Sequence, residues 1–176
     1  MKFRNINILA AFALAAATFT ACSKDDGPIP KRISIEEVPA MTMNLQPEKK
    51  NNIDTIRFAT PGAFTGNFKV DMVFPTSEKP SKVDIVVRKN GTAASVKLFK
   101  SAVSTFPTSF TVTAAEIVTL FGAPIALNDN YDFAPDIYVG DKKYEAFPAV
   151  GAGSGSGVIG MNSIGFYEFV RITVKN

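Results

Sequence analysis

The sequence predicts an all-β protein, an immunoglobulin-like β-sandwich with one short helix at about residues 114–121 between strands. Three observations lead to this fold class: seven or more short runs in which apolar and polar residues alternate, an Asn-Gly pair between two of these runs, and a single helical pattern. The chain has 176 residues, of which 46% are hydrophobic. That is enough for one domain with a core of its own.

The strand patterns are clearest in the middle of the chain. Apolar and polar residues alternate over residues 68–74 and again over residues 82–88, which is the period of a strand with one buried face. The second run ends at Asn90 and Gly91. This dipeptide favours a tight hairpin turn, because both central residues of a type I′ turn need a positive φ. A strand over residues 96–101 then completes a hairpin.

Other strands are predicted at residues 32–38, 41–45, 54–59, 109–112, 130–139, 143–147 and 164–174. In the last of these, the alternation would turn Glu168 inward. We expect a bulge near Tyr167 instead, since an unpaired buried carboxylate is costly.

One helix interrupts the strands. Thr113 and Glu116 have the spacing of a capping box, in which each side chain satisfies a backbone N–H of the other residue. Ile117 and Leu120 follow on one apolar face, and Gly122 ends the helix. A helix of about two turns is too short to be stable alone, so it must pack on the sheets.

The first 21 residues have the layout of an export signal. Lys2 and Arg4 precede an apolar stretch, and small residues lead up to Cys22, the only cysteine. The apolar stretch is short for a bilayer span, which takes roughly 20 residues. The segment resembles a bacterial lipoprotein signal, which implies that Cys22 is lipidated and becomes the new N-terminus. A buried N-terminal helix is the alternative.

The residues directly after the cysteine are Ser23, Lys24, Asp25 and Asp26. They resemble the acidic export signal that sends lipoproteins of the Bacteroidetes group to the outer face of the outer membrane. A solvated charge cluster in a tether is the alternative. The resemblance implies a lipid-anchored protein of the outer membrane that is exposed on the cell surface.

These features predict three parts of the chain: a signal peptide that is removed (residues 1–21), a lipidated tether (22–32) and a single β-sandwich domain (33–176). From Cys22 onward there are 17 basic and 16 acidic residues, and the lysines are scattered. We therefore expect no nucleic-acid surface.

The composition argues against catalysis. There is no histidine, and a lipidated Cys22 is not a free thiol, so Ser-His and Cys-His pairs are excluded. Asp132 and Asp136 could in principle act as a carboxylate pair on a glycosidic bond. We read them as a solvated strand face instead, and we expect no enzyme activity, no cofactor and no metal.

Two further motifs favour loops over ligand sites. Residues 155–160 match G-x-G-x-x-G, but a strand follows them where a dinucleotide site needs a helix, which favours a strand-connecting loop. Asn128, Asp129, Asn130 and Asp132 place side-chain oxygens close together, as a calcium loop does. The same residues are ordinary turn formers, and we favour the turn.

Four aromatic residues are candidate ligand-binding residues, because exposed aromatic rings stack on sugars or anchor protein partners. They lie on a polar strand face or near loop ends: Tyr138, Tyr167, Phe147 and Phe99. The alternative is that the sandwich buries them.

The strings FTVTAAEIVTLFG (110–122) and LNDNYDF (127–133) resemble the N-terminal domain of SusE-type lipoproteins. In those proteins a strand leads into a short Thr-x-x-Glu helix, and another strand follows a polar turn. With the leader, the likeness covers about half of the chain. It implies an immunoglobulin-like spacer domain and a setting of surface glycan capture beside an outer-membrane importer. Starch contacts in the family belong to C-terminal modules, so the resemblance assigns a binding role to no residue here.

We therefore expect a non-enzymatic surface lipoprotein that serves as a binding or accessory subunit of a nutrient (glycan) uptake system. The alternative is a structural or assembly lipoprotein that binds another outer-membrane protein. The expected partners are the membrane, through the N-terminal lipid, and either an importer complex or a glycan.

Overall fold

The computed structural model describes residues 38–150 and 166–176. The signal peptide, the tether with Cys22, the first predicted strand up to residue 37 and the G-x-G-x-x-G motif lie outside these ranges. The strands of the described residues are β1 (Met41–Leu45), β2 (Ile53–Arg57), β3 (Thr65–Met72), β4 (Lys82–Lys89), β5 (Lys97–Val103), β6 (Thr108–Thr113), β7 (Asn130–Val139), β8 (Lys142–Tyr144) and β9 (Val170–Lys175). The helix α1 is Ala114–Phe121, and 3-10 turns occupy Lys50–Asn52, Pro61–Ala63 and Ala93–Ser95.

The strands form two sheets that pack together in a sandwich-like, mostly β fold. The smaller sheet has the order β1-β3-β6 and is antiparallel. The larger sheet has the order β2-β9-β7-β4-β5, with β8 paired to β7. All its pairs are antiparallel except β2 with β9. The predicted all-β class with one short helix is therefore confirmed at this level.

Four phenylalanines join the two sheets. Phe68 on β3 packs against Phe110 on β6, with ring centroids 5.7 Å apart, and against Phe133 on β7 at 5.2 Å. Phe99 on β5 is the fourth member. Its ring centroid lies 5.4 Å from that of Phe133 and 6.0 Å from that of Phe110. Three of the four contacts are edge-to-face, a geometry that adds about 0.5–1.5 kcal/mol per pair beyond the buried area. We call these residues the phenylalanine cluster.

One open side of the sandwich is closed by Asn52, which lies directly before β2 and is buried. Its Oδ1 accepts a hydrogen bond from the Leu45 N–H at 2.8 Å, and its Nδ2 donates to the carbonyls of Met43 and Phe169, each at 2.7 Å. The Met43 N–H donates to the Tyr167 carbonyl at 2.9 Å. These bonds tie β1 to the chain beside β2 and β9. On the opposite side, β5 and β6 are edge strands within the described residues.

The helix matches its prediction at both ends. The Glu116 N–H donates to Thr113 Oγ1 at 3.3 Å, and the Thr113 N–H donates to Glu116 Oε2 at 2.7 Å, so the capping box is present. Ile117 is fully buried. Gly122 ends the helix with a φ of 66°, and its N–H donates to the Val118 carbonyl.

The Asn-Gly turn is also confirmed, because Asn90 and Gly91 have φ values of 52° and 70°. The hairpin differs in length from the prediction, since a 3-10 turn (Ala93–Ser95) separates the Asn-Gly pair from β5.

The expectation that Glu168 avoids burial is wrong, because its exposed fraction is 9%. The inward alternation continues back from β9, because Glu168 is buried like Val170 and Ile172 while the residues between them are half-buried. The paired part of β9 begins only at Val170, and the Tyr167 carbonyl before it accepts a hydrogen bond from β1. The strand predicted at residues 143–147 is also shorter, because β8 ends at Tyr144.

The pairing of the edge strand β5 with β4 shifts register at two places, and the first of these is a bulge. Val83 pairs with Val103 and Ile85 pairs with Lys100, so two residues of β5 stand opposite one residue of β4. One of the two is Ala102, whose φ is 57°. Its N–H donates to Asp84 Oδ1 at 2.8 Å. The side chain of Asp84 thus holds an alanine in the left-handed region, which costs a residue with a Cβ about 1–2 kcal/mol.

We expect Ala102→Gly to raise the free energy of unfolding by about 1 kcal/mol, because glycine adopts a positive φ without the Cβ penalty. Urea unfolding measures the change. Ala94→Gly is the matched control at an exposed alanine without positive φ, and we expect it to be neutral or destabilising. A free energy of unfolding of Ala102→Gly that is equal to or lower than that of the wild type would contradict the strain at Ala102.

Candidate functional site

The outer face of the larger sheet carries a buried ionic group. Arg88 Nη2 lies 3.0 Å from Asp132 Oδ2. Arg171 Nε lies 2.6 Å from Asp132 Oδ1, and its Nη2 lies 3.0 Å from Oδ2. The exposed fraction is 1% for both Arg88 and Asp132. The hydrogen bond to Asp132 is the main cause that raises the pKa of Arg171. The reading of Asp132 as part of a solvated strand face is wrong.

The burial comes from the chain after β8, which crosses this face. The ring of Phe147 lies over the Arg88 guanidinium, 4.1 Å from centroid to Cζ. The Ala146 N–H donates to Asp136 Oδ1 at 2.8 Å, and Lys143 Nζ lies 2.9 Å from Asp136 Oδ2. The exposed fractions are 2% for Asp136 and 5% for Phe147. Asp136 is therefore not solvated either. Phe147 is buried, which is the alternative stated for the candidate aromatic residues.

The four candidate aromatic residues do not form one platform. Phe147 covers Arg88, while Tyr138 is half-buried with Lys82 Nζ 4.0 Å from its ring centroid. Tyr167 is half-buried beside β1, and Phe99 belongs to the phenylalanine cluster. In the described residues no ring contact joins any two of them.

An apolar groove of about 300 Å³ lies next to Phe147. It runs between the start of the described chain at Val38, the outer face of β7 at Ala134, and Phe169. The chain continues beyond residues 38 and 150 into ranges that the structure does not describe.

A larger cleft of about 650 Å³ opens between β5, β6 and α1. We call it the edge cleft. Its floor holds the half-buried rings of Phe99 and Phe110, which are tilted 36° to each other. Half-buried Leu120 forms part of its wall. Ala115 and four polar residues complete its lining, the polar residues being Lys100, Thr111, Glu116 and Thr119.

Of the edge-cleft residues, the sequence indicates only Phe99 as a candidate for ligand binding. Phe110 lies in a predicted strand, and no local pattern reveals that β5 and β6 belong to different sheets. The cleft exists because the chain crosses between the sheets after β5. Its polar lining comes from three separate elements.

The residues directly before β7, where the sequence predicts a turn, do form one: the Asp129 N–H donates to the Ala126 carbonyl at 3.1 Å. The Asp129 carboxylate accepts bonds from four groups: Asn90 Nδ2 (2.9 Å), the Ala126 N–H (2.9 Å), the Tyr131 hydroxyl (3.0 Å) and Lys89 Nζ (2.8 Å). Burial alone raises the pKa of an aspartate, but these hydrogen bonds outweigh it and lower the pKa of Asp129 to about 2. Among residues 38–150 and 166–176, no three acidic, histidine or cysteine side chains are grouped to hold a metal ion.

No helix within the described ranges is both long and apolar enough to span a bilayer. Comparison of the chain with models of known families, with curated proteins and with solved structures finds no match.

We expect Asp132→Asn to lower the free energy of unfolding by about 3–5 kcal/mol, because it removes the buried carboxylate charge that contacts both Arg88 and Arg171. Urea unfolding at neutral pH measures the loss. The control is Asp54→Asn, which breaks the pair with the exposed Lys49 and should cost about 1 kcal/mol or less. Equal losses in the two variants would contradict the importance of the buried group.

The pKa of Asp129 predicts a pH dependence of stability. Because folding lowers this pKa from 3.8 to about 2, the contribution of Asp129 is present above about pH 4 and is lost as the pH falls towards 2. We therefore expect the difference in unfolding free energy between wild type and Asp129→Asn to shrink between pH 5 and pH 2.5. Asp141→Asn, at an exposed position, controls for the loss of one negative charge. A difference that stays constant over this range would refute the prediction.

Proposed function

We propose that this protein is a lipid-anchored lipoprotein on the outer face of the outer membrane. In this role it catalyses no reaction and serves as a binding or accessory subunit of a glycan uptake system. The observation that carries the proposal is the position of Cys22, the only cysteine, between an export leader and a short acidic segment. Lipidation at Cys22 supplies the anchor, because several buried acyl chains hold a protein stably on a membrane.

We further propose that the sandwich is immunoglobulin-like. Its two facing sheets and the short capped helix between β6 and β7 support this assignment. A folded domain carried on a membrane anchor suits an accessory subunit, because it presents a surface at a distance from the bilayer. The edge cleft supports a binding role, since its volume lies within the range of about 300–1,000 Å³ found for small-molecule sites.

The second candidate function is that of an assembly lipoprotein that binds another outer-membrane protein. The apolar groove beside Phe147 favours it, because contiguous apolar surface is typical of protein contacts. Purification of the native lipoprotein from outer membranes separates the two functions. Only the assembly role requires a stoichiometric protein partner in the absence of added sugar.

We expect the protein to incorporate an alkyne-tagged fatty acid in cells, and Cys22→Ala to abolish the label. A variant with Lys24, Asp25 and Asp26 all changed to alanine should keep the label but become protected from protease added to intact cells. Wild type should be digested under the same conditions. Labelled Cys22→Ala would disprove the anchor, and digestion of the triple variant on intact cells would disprove the export role of the acidic segment.

A further inference from the structure

We propose that the edge cleft binds a neutral oligosaccharide, with a pyranose ring stacked on Phe99 and Phe110. The inference rests on the proposed function in one respect, namely that a surface uptake subunit meets glycans. It adds the site, the class of ligand and the mode of contact.

The cleft is a place where the sandwich is left open. On the other side, Asn52 ties β1 to the chain beside the larger sheet. No comparable bond is found between β5 and β6 in the described residues, although Phe99 and Phe110 bring the two strands together from inside. Apolar rings therefore lie at the floor of an accessible cleft instead of in a closed core.

The two rings of the floor are packed against the buried core. Phe133 contacts Phe99 edge-to-face at 5.4 Å, and Phe68 contacts Phe110 in the same way at 5.7 Å. Both supporting rings are fully buried. The planes of the Phe99 and Phe110 rings are tilted 36° to each other, and their centroids lie 6.0 Å apart. Such preorganisation lowers the entropic cost of binding. The apolar C–H face of a pyranose is a flat surface that stacks on rings of this kind.

The polar lining offers donors and acceptors without a net charge. Lys100 is a donor with a positive charge, and Glu116 is an acceptor with a negative charge. Thr119 Oγ1 donates to the Ala115 carbonyl, which leaves its lone pairs able to accept. The Thr111 hydroxyl both donates and accepts. Hydroxyl groups around a sugar ring need this mixture, whereas an anionic or cationic ligand would need a lining of one sign.

An extended peptide paired to the edge of β5 is the competing occupant, and the strand argues against it. Lys97 and Lys100 are exposed on this edge strand, and the bulge at Ala102 interrupts its regular pairing. Charged residues and bulges are features by which edge strands avoid pairing with other chains.

Native affinity electrophoresis of the detergent-solubilised full-length lipoprotein tests the proposal. The probes are four neutral soluble polysaccharides (a glucan, a mannan, a xylan and a galactan) and the anionic polygalacturonate. We expect at least one neutral probe to retard the wild type. Ala115→Trp fills the cleft from the exposed face of α1 and should abolish the retardation. Thr111→Ala should weaken it about two- to tenfold, as expected for loss of one hydrogen bond.

The matched control is Ala94→Trp, which adds the same ring at an exposed position away from the cleft and should leave retardation unchanged. Circular dichroism of each variant checks that it is folded. Absence of retardation by all neutral probes, retardation by polygalacturonate alone, or equal retardation of wild type and Ala115→Trp would overturn the proposal. A photo-crosslinker at Thr111 that captures a stoichiometric protein, with no sugar binding, would assign the cleft to a peptide.

The two proposals fail in different experiments. If the cleft does not bind sugar, fatty-acid labelling and protease digestion on intact cells still report the anchor and the location. If the protein is not on the surface, retardation in the gel still reports the cleft.

Discussion

The contact of four phenylalanines between the two sheets is the interaction on which the rest of the structure depends. Phe68 and Phe110 come from the smaller sheet, and Phe99 and Phe133 come from the larger one. Their ring contacts set how β5 and β6 lie next to each other. The same contacts make the floor of the edge cleft, so the core and the proposed binding site share two residues. A ligand on this floor therefore rests on rings that pack directly against the buried core.

The larger sheet is buried on both faces at its centre, and this explains the unusual composition of its outer side. Arg88, Asp132 and Asp136 are covered by the chain around Phe147, and each carboxylate contacts a basic side chain. A buried ion pair is weak as a source of stability, but the loss of one partner is costly. These charged side chains hold the covering chain in place through the contacts with Lys143, Ala146 and Phe147. Because the chain covers this part of the sheet, an aromatic residue here is buried and not exposed.

The sequence predicts those parts of the fold that local chemistry determines. The bounds of β1, β7 and α1 match the predictions, because alternation and the capping box of Thr113 and Glu116 lie within each segment. Burial of Asp132 could not be predicted in this way, since its partner Arg171 lies 39 residues further along the chain. The edge cleft was missed for the same reason, and Phe110 gave no local signal that it lies at an open edge. The contact of Phe147 with Arg88 could not be predicted either, because nothing near Phe147 in the sequence identifies Arg88 as its partner.

The most direct test of the central claim is a nuclear Overhauser measurement between a bound neutral oligosaccharide and protein labelled at its phenylalanine rings. The rings of the floor are assigned by comparison with Phe99→Leu and Phe110→Leu. We predict cross-peaks from the sugar C–H protons to the rings of Phe99 and Phe110, and none to the covered ring of Phe147. Cross-peaks that bypass Phe99 and Phe110, or a bound sugar that contacts only Tyr138 or Tyr167, would contradict the account.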